Sequence, residues 1–428
     1  MRRLRIALVH SFHGAAVPGG ENETVLDQAA ALGRAGHEVR LVAARTDVLH
    51  NAPWYAARCA VTVATGRGRS PLPALRSFAP DVVHVHNLFP NFGRAWLAQW
   101  TGPLVATLHN YRPLCAAAVL YRDGAPCTRC LDGDRWAGVR HGCYRGSRLA
   151  TLPLAWASRG GVREDLLLRR ADRAVVLSEQ ARDTYLRAGL PVERMAVVPH
   201  FVPGAKSSVS SGEGGWVFVG RLTEEKGILD LLRRWPAGRR LDVIGAGPLD
   251  AACRAAAPES VRFLGAVERG VLRAALPRYR GLVLPGRRRE GLPLVYLEAL
   301  AAGVPVLAFE GSAVPGAVRT EGTGTVTSWD APLPAALDAA ERIFPTLRGH
   351  CRAVYAERHG EAAWVARAER LYASVVASPA EDARNAGDAG DAENAENAEN
   401  AENAEEAGDA ENAETAGDAG AVEDKVGV

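Results

Sequence analysis

Along this chain, short unbroken apolar runs alternate with stretches in which apolar residues recur every three or four positions. The runs are "RIALVH", "HEVRLVAA", "DVVHVH", "PLVATLHN" and "RAVVLS" in the first half, and "GWVFVG", "LDVIG", "VRFLG", "GLVLPG" and "VPVLAF" in the second. A strand with one wet face alternates polar and apolar residues. Continuously apolar strands separated by helical patterns indicate parallel sheets covered on both faces. The expected fold class is therefore α/β, with two Rossmann-like, doubly wound parallel-sheet halves.

The periodicity lapses at "PHFVPGAKSSVSSGEGG", where Gly, Ser and Pro crowd together. An N-terminal domain over 1–200 is predicted, then a linker over 201–215 and a second Rossmann-like domain over 216–350. A helical segment over 351–378 places Trp364, Ala368, Leu371 and Val375 on one face, able to pack on either domain. From 379 to 428 the chain repeats "AEN" and "AGD" with almost no large apolar residue. Such a stretch cannot offset its ordering entropy by burial, so a disordered acidic tail is expected.

Charge changes this picture. The formal +2 of the 428 residues conceals a tail of −14 over residues 381–428, which leaves +16 on residues 1–380. That excess suits phosphorylated ligands or anionic lipid. Nucleic acid fits poorly, because no aromatic residues interleave with a basic platform. The opening "MRRLRIALVHSFHG" has an apolar run only from Ile6 to Val9, too short for an export signal. A cytoplasmic location is expected, with peripheral contact at the inner face of the membrane an open option through "RGRSPLPALRSF" or "RGGVREDLLLRRADRA".

Candidate chemistry gathers at strand exits. In "VFVGRLTEEKGILDLL", Arg221 and Lys226 flank a turn between a strand and a helix, where backbone amides and two cations form an anion site suited to a diphosphate. The chain's lysines are Lys206, Lys226 and Lys425, so Lys226 is the only one expected inside a folded domain. An ammonium among so many guanidinium groups is not interchangeable with them. "LDVIGAGPLD" carries a Gly245-x-Gly247 turn but has Asp250 where a dinucleotide fingerprint has its third glycine. "GLVLPGRRREGLPLVYLEALA" reads as a strand, an exit loop with Glu290, and a helix opening at Pro293 with Glu298 inside it.

Histidines and cysteines add candidates. His84 and His86 are expected on opposite faces of their strand, and His109 is expected to end the next one. Cys115, Cys127, Cys130 and Cys143 make one C-x2-C with two outlying cysteines. They suit a structural zinc, reduced thiols or a disulfide, since the second close pair that would single out zinc is missing.

Together "PGGEN", "DVVHVHN", "TLHNYR", "VGRLTEEKG" and "EGLPLVYLE" resemble glycosyltransferase family 4, whose members are retaining, nucleotide-sugar-dependent enzymes of the GT-B fold. The likeness covers nearly all of residues 1–377. It implies that Arg221 and Lys226 hold the donor diphosphate and that Glu298 holds the ribose. It further implies that Glu290, with the adjacent Gly291 and Leu292, meets the donor sugar. Gly19 and Gly20 would let backbone approach the phosphates, and His109 would line the cleft by the transferred sugar. No metal is implied for catalysis. The acceptor is implied to be a hydroxyl of a glycan, a lipid-linked molecule or a small molecule. Relatives often carry Gly-Gly-x-x-Glu after the last strand, whereas this chain reads "EGSAVPGAVRTEGTG", which leaves base and sugar choice open. Two alternatives accompany this reading: another GT-B activity, such as an epimerase or phosphorylase, and a silent nucleotide-sugar binder whose tail recruits a partner.

Overall fold

Residues 2–14, 20–204, 212–288 and 291–376 are described by a computed structural model. Each of the ten apolar runs forms a strand. In the first half, β1 (Arg5–Phe12), β2 (Glu38–Arg45), β3 (Val82–Asn87) and β4 (Leu104–Thr107) are followed by a small hairpin of β5 (Tyr121–Arg122) and β6 (Ala125–Pro126). After the hairpin come β7 (Arg173–Val176) and β8 (Met195–Val197). The sheet order is β2-β1-β3-β4-β7-β8, with every pairing parallel. β1 shows why: Ile6 to Phe12 are all buried, so helices must cover both of its faces.

The second half supplies β9 (Trp216–Val219), β10 (Leu241–Ile244), β11 (Val261–Gly265), β12 (Gly281–Leu284), β13 (Val306–Phe309) and β14 (Gly324–Thr327). They lie in the order β11-β10-β9-β12-β13-β14, again all parallel. β8 and β14 are absent from the sequence reading because they are short, half-buried edge strands without a continuous apolar run.

Strand order fixes where ligands can bind. In the first sheet the connections leave β1 toward β2 and then return across it to β3. In the second they run from β9 to β10 and β11, then return to β12 beside β9. Open α/β sheets bind ligands at the carboxyl ends of strands where the order reverses. Those points are the exits of β1 and β3 in one domain and of β9 and β12 in the other, which together hold most of the sequence motifs.

The expected C-terminal helix forms over Glu361–Val376 and buries Trp364, Ala368, Leu371 and Val375. It packs back on the first domain. Trp364 lies 5.2 Å from the Phe201 ring, Tyr372 OH is 2.8 Å from His84 Nδ1, and Glu369 is 3.1 Å from His37 Nε2. The expected acidic tail lies outside the described residues. No helix among the described residues is long and apolar enough to cross a membrane.

Candidate functional site

At the exit of β9 the backbone turns sharply. Gly220 N–H donates to Ile244 O at 3.0 Å, and Leu222 N–H donates to Ala246 O at 3.0 Å, which ties this turn to the Gly245-x-Gly247 turn beside it. Lys226 closes a short 3-10 turn over Glu224–Lys226, and Gly227 follows at φ +69°. A Cβ on Gly227 would lie 2.1 Å from Pro285 O, so the loop leaving β12 packs directly on this backbone. Arg221 is exposed and pairs with Glu225 at 3.0 Å, while Arg287 N–H bonds Glu225 O at 3.0 Å. Arg221 and Lys226 thus stand at the switch point of the second sheet.

Other expected donor residues divide. Gly19 and Glu290 lie outside the described residues. Leu292 is 9% exposed and packs in the second domain's apolar core, so its side chain serves packing. Pro293 precedes the helix Leu294–Ala301 as its cap, one position earlier than expected. Gly20 and Gly291 are the points of close approach between domains. A Cβ on Gly20 would lie 2.5 Å from Leu294 Cδ1, and one on Gly291 would lie 2.7 Å from Leu177 Cβ. The Leu177 Cβ beside Gly291 cannot yield, whereas the Leu294 Cδ1 beside Gly20 is the movable end of a side chain.

Glu298 is buried on that helix and already engaged. Arg269 Nε donates to its carboxylate at 2.9 Å and Arg273 Nε at 3.3 Å, while Arg269 also bonds Glu23 of the first domain. Burial pushes the Glu298 carboxyl up, and the two guanidinium groups draw it back down. The sequence reading missed both arginines, although their i,i+4 spacing after β11 puts them on one helix face.

Opposite these loops, the carboxyl edge of the first sheet holds a histidine cluster. Residues two apart on a strand share a face, so the expected opposite facing of His84 and His86 is wrong: their rings stack at 4.2 Å. His109 lies two residues beyond the end of β4 instead of ending it. Its Nε2 is 3.1 Å from His86 Nδ1, and its ring stacks on His200 at 5.0 Å. His84 Nε2 is 2.7 Å from Thr107 Oγ1. Burial drives His84 and His200 down to about 3 and His10 to about 4, and holds His86 and His109 well below the ordinary histidine value. All five are neutral at pH 7, so His109 offers a neutral imidazole.

Glu21, from the "PGGEN" motif, is the most informative residue missed by the sequence reading. Burial pushes its carboxyl up to about 7, with Asn87 and Arg112 pulling it back. Arg112 lies over the Phe89 ring at 3.8 Å. Glu21 Oε1, Arg112 Nη1, His86 Nε2 and His10 Nδ1 are buried with no hydrogen-bond partner. Buried polar atoms are nearly always paired. These four atoms belong to residues grouped at the carboxyl edge of the first sheet, where polar atoms are left without protein partners.

Cys115, Cys127, Cys130 and Cys143 come together around a small cavity that also meets His141, and all four are free thiols. Burial pushes Cys130 up to about 11, which keeps it protonated. Among the described residues, no group of three or more His, Cys, Asp or Glu is arranged to hold a metal ion.

Comparison with known proteins agrees with this layout. Residues 18–204 match the family described as Glycosyltransferase Family 4, and residues 214–343 match Glycosyl transferases group 1. A glycogen synthase of Mycobacterium tuberculosis is 28% identical over 250 residues, covering 54% of this chain and 52% of the relative. A GDP-mannose-dependent alpha-(1-6)-phosphatidylinositol monomannoside mannosyltransferase of Mycolicibacterium smegmatis is 32% identical over 160 residues, covering 33% and 42%. The chain thus spans about half the length, or less, of these curated relatives. Among solved structures, sucrose-phosphate synthase of Thermosynechococcus elongatus superposes with a TM-score of 0.62 at 18% identity, covering 88% of this chain and all of that one. Anabaena Alr3699/HepE in complex with UDP superposes at 0.53 and 16% identity, covering 86% and 100%.

Proposed function

The chain belongs to glycosyltransferase family 4, and on that premise we propose that it moves a sugar from a nucleoside-diphosphate donor to an acceptor hydroxyl with retention of configuration. The observation that carries this reading is the placement of Arg221 and Lys226 at the switch point of the second sheet, together with buried, unbonded polar atoms of Glu21, Arg112 and His86 in the first domain. Cations and backbone amides at the switch point suit a departing diphosphate. The unbonded Glu21 Oε1 and His86 Nε2 in the first domain suit sugar hydroxyls. A related fold solved with UDP supports a nucleotide donor.

Each group has a part in the chemistry. Arg221 and Lys226 neutralise the charge that develops on the leaving phosphate, so counter-charge comes from side chains fixed before the reaction. Glu298 accepts the ribose hydroxyls, its charge kept in place by Arg269 and Arg273. The neutral His109 orients the sugar with no charge of its own to set against the diphosphate. The acceptor oxygen attacks the anomeric carbon on the face the phosphate leaves, and a phosphate oxygen takes the proton. Glu290 positions the donor sugar and forms no bond to it.

Calorimetric titration of UDP, GDP and ADP into the purified chain without divalent metal tests this reading. One nucleotide is expected to bind, and Lys226→Ala is expected to weaken it by roughly tenfold or more, the scale of a lost charge-assisted bond. Folded protein that binds none of the three would overturn the proposal.

A further inference from the structure

Beside the histidine cluster lies a cavity of about 120 Å³. His86, His109 and Arg112 line it together with Val63, Phe89, Phe92, Leu154, Ala157 and Leu167, and most of the lining surface is apolar. The charged pair that also reaches it, Arg94 and Asp165, is mutually satisfied at 3.0 Å. Arg112 differs, because its Nη1 is buried with no hydrogen-bond partner. A mostly apolar lining suits a hydrocarbon chain better than a hydroxyl-rich sugar. For scale, an engineered cavity of about 150 Å³ lined by Leu, Ile and Phe takes up benzene.

Three of these walls, Val63, Leu154 and Ala157, come from two packed helices, Tyr55–Thr65 and Arg148–Ser158. The second is apolar on its outer face as well. Leu149, Leu152 and Trp156 are 83%, 45% and 46% exposed and fall on one stripe at helical spacing. Trp136 joins them with its ring 6.4 Å from Trp156, and Arg159 lies over Trp156 at 4.1 Å. Arg145, Arg148 and Arg163 are exposed around this stripe. An apolar, aromatic stripe ringed by arginines matches the boundary of an anionic lipid surface: rings and alkyl groups enter the acyl layer while guanidinium groups meet the headgroups.

We propose that the acceptor is a phosphate-bearing amphiphile drawn from an anionic lipid surface, with its apolar chain in this cavity and its phosphate on Arg112. The assignment rests on the transferase reading only in calling the occupant an acceptor. Its test therefore needs no nucleotide.

The test titrates the full chain with ethyl, butyl, hexyl and octyl phosphate, taking inorganic phosphate as the headgroup control. Affinity is expected to rise about fourfold for each methylene buried, until the cavity is full. Ala157→Trp, at a half-buried position, should flatten that rise, with the milder Ala157→Leu shortening it. Arg112→Gln should weaken all members alike. A series that is flat in the unmodified protein would overturn the assignment. Co-sedimentation with phosphatidylglycerol–phosphatidylcholine vesicles, but not with pure phosphatidylcholine, is expected, and the exposed double variant Leu149→Ser/Trp156→Ser should abolish it. Chain-length dependence without vesicle binding would overturn the lipid surface as the source. Nucleotide binding with a flat series would leave the transferase reading standing and this inference refuted.

Discussion

At the scale of single residues, the site is assembled from groups whose burial sets their charge. Glu21 has its carboxyl pushed up to about 7 by burial, against the ordinary 4.5. The sign follows from linkage. The folded state holds this proton more tightly than the unfolded one, so ionisation costs stability as pH rises from 4.5 through 7 and the full cost stands above 7. Glu21→Gln removes that cost, by up to about 3 kcal/mol at pH 8 and much less at pH 5. Thermal unfolding of both proteins at the two pH values checks this, and equal shifts at both would contradict it. If Glu21 also meets the acceptor, the same variant will lose activity while gaining stability.

At the scale of elements, the strand exits are held by backbone packing more than by side chains. Gly227 and Gly238 make a matched pair for testing this. Both have φ in the left-handed region, +69° and +82°, but a Cβ on Gly227 would meet Pro285 O at 2.1 Å whereas one on Gly238 meets nothing within 4 Å. Gly238→Ala should cost only the conformational strain, about 1 kcal/mol. Gly227→Ala must also push the loop leaving β12 away from Lys226, and should reduce nucleotide affinity at least tenfold while Gly238→Ala leaves it unchanged. Calorimetry on the two variants decides, and equal effects would show that the contact between the loops is dispensable for binding.

At the scale of the whole molecule, the first domain is built around imidazoles that must stay uncharged. His10, His84 and His200 are held by burial at about 4, 3 and 3. In the unfolded chain they take up protons below about 6.5. Stability is therefore complete above that value and falls as pH drops toward the folded values, each histidine costing about 1.4 kcal/mol per pH unit within the window. Glu21 offsets part of this. These three and Glu21 together give a net loss on the order of 4 kcal/mol between pH 7.5 and pH 5, to which His86 and His109 add, readable as a fall in the urea midpoint. A midpoint that does not move would mean that the cluster is not buried in solution. Because His84 bonds Tyr372 of the C-terminal helix, that helix should loosen with the cluster.

The sequence by itself determined the two parallel sheets, the motifs at their strand exits and the apolar face of the last helix. Each is written in local periodicity, because a strand buried on both faces has to be apolar throughout and a packed helix has to repeat every three or four residues. It also singled out Lys226 as a lone ammonium among guanidinium groups. Only the tertiary structure decided what those residues face. Glu21 reads as an ordinary acid at the start of a helix until the fold buries it beside Arg112 and the histidines. Arg269 and Arg273 lie more than twenty residues before Glu298 and meet it only because the helices that follow β11 and β12 converge on one cleft. Edge strands β8 and β14, half-exposed, carry no continuous apolar signal to read. Burial, pairing and pKa depend on neighbours distant in the chain, and spacing along one chain does not encode which neighbours the fold brings together.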